Sequence, residues 1–212
     1  MRPVHNEQLD AFISAAHRVG DYGLLKCSSG NLSWRIDDER LLVTTNKAWL
    51  ADLTSAEVAV CRLADCEPLN GRRPSIETGF HAGILRERPQ MTSVLHFQSP
   101  AATALACSRD LEAIDFNVIL EVPFYIGPVA IVPYLPPGSP ELADATIAAM
   151  RDHKMVLLRN HGQVTVGTDP NDAIQRAAFF ELACDILLRL GDRADPLPPD
   201  AVAFLRNAAT NC

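Results

Sequence analysis

Six histidines occur in the chain, and two of them stand where an imidazole could do chemistry. His96 closes an apolar run and Gln98 follows two residues later, so on a strand their side chains leave by the same face. His161 stands in Asn160-His161-Gly162, a tight turn between two β-favouring runs that exposes its ring. A site made of His96, Gln98 and His161 joins two donors from one strand end to a distant third and leaves positions open for substrate, as catalytic zinc does. The alternative is a pair of hydrogen-bonded structural histidines, and spacing alone favours that plainer role.

Glu77 falls in the first turn of an expected helix, where the dipole favours the carboxylate form. It could serve as a general base over a metal, or be an ordinary first-turn charge paired with His81 one turn on. Periodicity favours the second. Ser28-Ser29-Gly30-Asn31 is a turn rich in donors that could cradle an anion, and Thr44-Thr45-Asn46-Lys47 is another that adds a cation. Most such clusters are only turns, so the constellation is informative and no single member is.

The elements that must position these residues follow from apolar spacing and turn chemistry. Leu9, Phe12, Ile13 and Ala16 predict an amphipathic helix ending near Gly20. Leu32 to Ile36 and Leu41 to Thr45 predict a hairpin. Thr54 with Glu57 offers a capping box for a short helix over 54–64, and Pro74-Ser75 opens a helical stretch to about Arg88. Thr92 to Phe97 reads as a buried strand, followed by a helix from Ser99-Pro100 to Cys107. Strands are expected at Phe116 to Glu121 and Val129 to Tyr134, and a helix at Ser139 to His153. Met155 to Arg159 and Gln163 to Val166 form a β pair, and Asp169-Pro170 caps a helix to Leu190. The expected fold is therefore α/β: three layers, with a central mixed and largely antiparallel sheet between helices. Residues 1–192 read as one domain and 193–212 as a Pro-rich, loosely attached arm.

Composition narrows the function classes. The chain of 212 residues has 19 Lys and Arg against 26 Asp and Glu, a net charge of -7, so it lacks the basic field that nucleic acid requires. No apolar run approaches the ~20 residues of a membrane helix, and the first ten residues hold no apolar signal core. The expectation is a soluble, cytoplasmic protein with no membrane partner. Six scattered cysteines without a C-x-x-C pair read as reduced core thiols.

Taken in order, Gly30-Asn31-Leu32-Ser33, Pro74-Ser75-Ile76-Glu77 with His81, Leu95-His96-Phe97-Gln98 with Ser99-Pro100, Val132-Pro133-Tyr134 with Gly138, and Asn160-His161-Gly162 resemble the class II aldolase/adducin family. The resemblance spans roughly residues 8–190 and looks closest to the bacterial fuculose-phosphate aldolases. It implies a zinc-dependent lyase, with another divalent metal as an alternative, that cleaves a small phosphorylated ketose to dihydroxyacetone phosphate and an aldehyde by way of an enediolate. His96, Gln98 and His161 then match the metal-ligand positions. Glu77 matches the carboxylate that moves protons, and Tyr134 an acid reaching across a subunit interface. Gly30, Asn31, Thr45, Asn46, Lys47 and Ser75 match the positions around the substrate phosphate. A homo-oligomer, commonly a tetramer, is implied as well. An epimerase, a decarboxylase forming the same enediolate, and a non-catalytic adducin-like module are the alternatives on this scaffold.

Three departures matter. Gln98 replaces the second histidine of the family's usual His-x-His, and a carboxamide oxygen is a weaker zinc ligand than imidazole. It could coordinate, step back to leave a site completed by Glu77 or water, or signal loss of the metal. Ile76 stands where a second phosphate-binding serine is common. Asn46-Lys47 replaces Thr-Gly, which leaves room for a carboxylate as the anion bound.

Overall fold

A computed structural model of the chain describes residues 3–210. Its elements, in order, are α1 (Asn6–Asp21), β1 (Gly30–Arg35), β2 (Arg40–Thr44), β3 (Val58–Arg62), α2 (Thr78–Glu87), β4 (Ser93–Phe97), α3 (Pro100–Ala106), β5 (Val129–Val132), α4 (Pro140–Met150), β6 (Met155–Leu158), β7 (Gly162–Gly167), α5 (Pro170–Leu190) and α6 (Pro199–Ala209). One seven-stranded sheet runs β3-β2-β1-β4-β7-β6-β5. Every neighbouring pair is antiparallel except β5 and β6. Among the described residues no helix is long and apolar enough to cross a membrane.

Strand alternation sends side chains to two cores, one on each face of the sheet. Leu32, Leu42, Val60, Leu95, Phe97 and Leu157 face α1, α3 and α5, meeting Phe12, Ala102 and Phe180. Leu41, Val43, Val94, Val156, Val164 and Val166 face α2 and α4, meeting Phe80, Leu85, Leu142 and Met150. This is the expected three-layer architecture with a mixed, mostly antiparallel sheet. The parallel pair arises because α4 carries the chain from β5 back to the start of β6.

Two expected elements are corrected. The 54–64 segment is not a helix: Glu57 Oε2 accepts from both the amide and the hydroxyl of Thr54, but only one 3₁₀ turn, Ser55–Glu57, follows. Val58 to Arg62 then pairs along the whole of β2, where the ladder and the burial of Val58, Ala59, Val60 and Cys61 outweigh helix continuation. Residues 116–121 are not a strand either. Phe116 is buried, but the backbone there has no ladder partner, and the chain goes into a π-helical turn at Val122–Ile126 while β5 takes the sheet edge.

The cysteine expectation is also corrected in part. Cys61 and Cys184 are buried thiols, whereas Cys27 and Cys107 are exposed and Cys66 half-buried; all five are free. The exposed pair lie at turn and helix-end positions that the apolar pattern around them does not bury. Cys212 lies outside the described residues. Near the C-terminus, Leu197 N–H donates to Asn117 O and α6 packs on the Val122–Ile126 turn with Val202 buried.

Candidate metal centre

Three strands and one helix start converge on the expected residues. His96 on β4 pairs in register with Asn31 on β1 and with Val164 on β7, so it projects from the middle of the sheet toward α2. Its Nδ1–H donates to Gln163 O at 2.9 Å, which fixes the ring and leaves Nε2 with a free lone pair. His161 stands on the turn between β6 and β7, after Asn160, whose φ of 57° is one that asparagine tolerates. Gly162 lets that turn press onto β4, because a Cβ there would lie 2.6 Å from Phe97 O and 3.1 Å from His96 Cε1. The His96 and His161 rings consequently sit 4.9 Å apart between centroids at 68°.

Glu77 occupies the N-cap position of α2, one residue ahead of the first turn where it was expected. Its Oε2 is 3.5 Å from His96 Nε2 and its Oε1 is 3.6 Å from His161 Nε2. The expected pairing with His81 takes another form. His81 Nε2 meets Asn31 Oδ1, and Asn31 Nδ2 donates to Glu77 Oε2 at 2.8 Å. Burial alone would raise the Glu77 pKa, but the His96 imidazole, the Asn31 amide and the other two histidines outweigh it and hold the carboxyl below its ordinary value. Burial takes His81 down to about 3, and burial together with His96 takes His161 to about 4. Near neutral pH Glu77 is thus a carboxylate, and His81 and His161 are neutral imidazoles.

These residues fit a divalent cation. Glu77, His96 and His161 each offer a ligand atom, all within 4.8 Å of one another. Glu77 Oε1 is buried without a hydrogen-bond partner among the described residues, an orphaned charge-bearing atom of the kind a cation would satisfy. Two imidazoles and a carboxylate are a donor set for zinc and its first-row neighbours.

The other expected residues surround a cleft of about 160 Å³ over this cluster. Gly30, Thr45, Asn46, Lys47 and Ser75 line it together with Asn31, Glu77, His96, Gln98 and His161. Ser75 Oγ accepts from Glu77 N–H, and Lys47, with a φ of 64°, is exposed at the rim. Tyr134 is the one expected residue left outside: it is 59% exposed, two residues beyond β5, and does not line the cleft. A larger cavity, about 600 Å³, opens at the far end of the β1–β2 hairpin beside Arg40, Arg62 and Arg86. Among the described residues no cluster of metal-ligating side chains lines it, and its arginines already bond Asp37, Asp65 and the carbonyls of Leu63 and Ala64, so the smaller cleft is the candidate site. The sequence reading missed Ser33 and the position of Asn31 as a support to Glu77. The signal was present, since Asn31 and Ser33 alternate with Leu32 and Trp34 on one strand.

A seven-stranded mixed sheet with helices on both faces and a Glu/His/His cluster at its middle strands defines an enzyme of the class II aldolase type. The chain belongs to that family: residues 10–188 match the Class II Aldolase and Adducin N-terminal domain. It is 33% identical over 206 residues to the 3-oxo-tetronate 4-phosphate decarboxylase of Haemophilus influenzae, covering 94% of this chain and 96% of that one. It is 34% identical over 191 residues to the 5-methylthioribulose-1-phosphate/5-deoxyribulose-1-phosphate aldolase of Rhodospirillum rubrum, covering 89% and 84%. A solved L-fuculose 1-phosphate aldolase superposes with a TM-score of 0.82 at 22% identity, over 98% of each chain, a likeness of fold alone. The expected family is established at the level of the class II aldolases, whose sequence relatives named here carry activities other than fuculose-phosphate cleavage.

Proposed function

We propose that the chain is a divalent-metal-dependent carbon–carbon lyase that decarboxylates a small phosphorylated 3-oxo sugar acid to carbon dioxide and dihydroxyacetone phosphate. The observation that carries this reading is the buried, unpartnered Glu77 Oε1 set among the imidazoles of His96 and His161. His96 and His161 would hold the cation, with Gln98 beside them and Glu77 within reach. Bound there, the cation supplies Lewis acidity to the substrate carbonyl as negative charge develops on it. The remaining work falls to the chain. Lys47, Thr45, Asn46, Gly30 and Ser75 bind and orient the phosphate. Loss of carbon dioxide leaves its electron pair on the carbon beside the ketone, and Glu77 passes that carbon a proton drawn from water.

The near end-to-end likeness to the Haemophilus decarboxylase supports this choice of reaction. So does the place of Tyr134. Aldol cleavage of a 1-phosphorylated ketose, the second reading, reaches the same enediolate but must also serve an aldehyde oxygen, and the exposed Tyr134 could do so only across an interface of a homo-oligomer such as a tetramer. The likeness to the Rhodospirillum aldolase favours that reading.

The test supplies zinc, cobalt or manganese and compares 3-oxo-tetronate 4-phosphate with fuculose, rhamnulose and ribulose 1-phosphates. Equal yields of carbon dioxide and dihydroxyacetone phosphate from the oxo acid are expected. Product from the ketose phosphates only would establish aldol cleavage instead, and no turnover of any of them with any metal would overturn both readings.

A further inference from the structure

Behind Glu77 a line of buried polar side chains leads away from the cleft. Asn31 and Ser33 leave β1 on one face, Glu77 and His81 lie four residues apart on one side of α2, and the two pairs interdigitate. Asn31 Nδ2 reaches Glu77 Oε2 at 2.8 Å, Asn31 Oδ1 meets His81 Nε2, and His81 Nδ1 meets Ser33 Oγ at 2.8 Å. With His81 neutral and Glu77 ionised, only one assignment of protons satisfies every member. A carboxylate only accepts, so Asn31 must turn its amide nitrogen toward Glu77. Its oxygen then faces His81 and also only accepts, so His81 Nε2 carries the proton and Nδ1 receives the Ser33 hydroxyl. His81 itself is fully buried and stacked on Phe80, with ring centroids 4.7 Å apart, and it does not line the cleft.

We infer that His81 is a positioning residue for the metal centre: as the Nε2–H tautomer it locks the Asn31 amide with nitrogen toward Glu77, tying Oε2 and leaving Oε1 to the cation. Without that donor the buried Asn31 Oδ1 is left without a partner and only the carboxylate orients the amide, so its hold on Oε2 loosens. This inference rests on the metal-centre part of the function proposed above and adds what holds Glu77 in place.

Three measurements test it. Long-range ¹H–¹⁵N spectra of the metal-free protein read the His81 tautomer directly, and the Nε2–H form is expected. Cobalt titration then compares the wild type with His81→Phe, which keeps the ring and its stack but loses the donor, and with His81→Gln, whose amide restores one. Loss of an outer-shell partner of this kind costs roughly 10–100-fold in metal affinity or activity. His81→Phe should therefore bind cobalt more weakly by that factor and lose kcat with little change in KM, while His81→Gln recovers most of both. Thermal unfolding confirms that each variant is folded. An Nδ1–H tautomer overturns the inference. So does a folded His81→Phe that matches the wild type in cobalt affinity and kcat, or a His81→Gln as impaired as His81→Phe. Should the wild type take up no cobalt, the metal reading fails, and the tautomer still decides the hydrogen-bond relay; should it take up cobalt but turn over no substrate, only the reaction assignment fails.

Discussion

Replacing Gly162 by alanine tests how the two imidazoles are brought together. The added methyl group would sit 2.6 Å from Phe97 O, 2.8 Å from Gln98 Cγ and 3.1 Å from His96 Cε1. Phe97 O cannot yield cheaply, because β4 is paired on both sides, by β1 and by β7. His96 is buried and held through Nδ1 to Gln163 O, so of the three only the Gln98 side chain can swing away. Overpacking a filled interior costs about 1–3 kcal/mol. In a domain of this size each kcal/mol corresponds to about 2–4 °C in Tm, so Gly162→Ala should melt roughly 2–12 °C below the wild type. The same push drives His161 off His96, and cobalt affinity should drop with it. Gly79→Ala is the control: its methyl group meets nothing nearer than Ala143 Cβ at 3.9 Å, and in a helix the change should gain roughly 0.5–1 kcal/mol. Differential scanning calorimetry and cobalt titration on both variants give the answer. A Gly162→Ala protein that melts with the wild type and binds cobalt equally well would refute the packing argument.

Glu77→Gln keeps the side chain's shape but removes its charge, and turnover should fall roughly 10²-fold or more with the hydrodynamic size unchanged by light scattering; full activity would remove Glu77 from the mechanism. Gln98→His should tighten zinc binding, since the side chain leaves the strand on the same face as His96 and lines the cleft; an unmoved affinity by calorimetry would place it outside the coordination shell. The metal-free protein should lose stability in acid. His81 and His161 are depressed to about 3 and about 4 in the folded state, against 6.5 for a free imidazole, so the unfolded chain takes up protons that the folded chain refuses. Their contribution is complete above about pH 6.5 and is lost as the pH falls toward 4, with His81 alone losing roughly 3 kcal/mol across that window. Urea midpoints that stay level from pH 7 to pH 4.5 would contradict burial of neutral rings.

Much of this site was legible because its residues sit in elements with strong local signals. The apolar run ending at His96, the Asn160-Gly162 turn and the Asp169-Pro170 helix start all form where spacing predicts them. That the two histidines converge is a fact of strand order, which no spacing carries, and it was the ordered set of motifs that suggested it. Val58 to Cys61 departs from the expected helix because the capping interaction at Thr54 and Glu57 is local, whereas β2 recruits the segment after it as an edge strand. Phe116 to Val118 has strand-like residues but no free strand to pair with. His81 shares the expected helix side with Glu77 but meets Asn31 and Ser33 of β1, since a helix period shows which side chains share a side and not which strand lies opposite.

His96, Asn31 and Glu77 hang from paired strands and a helix start, whereas Thr45, Asn46 and Lys47 belong to the turn that follows β2. On the proposed function, the machinery that manages charge during bond breaking and the part that selects the anion are thus separately mounted. Exchanging the turn's length or polarity should redirect the protein among phosphorylated and carboxylated compounds while the rigid half keeps its tuning.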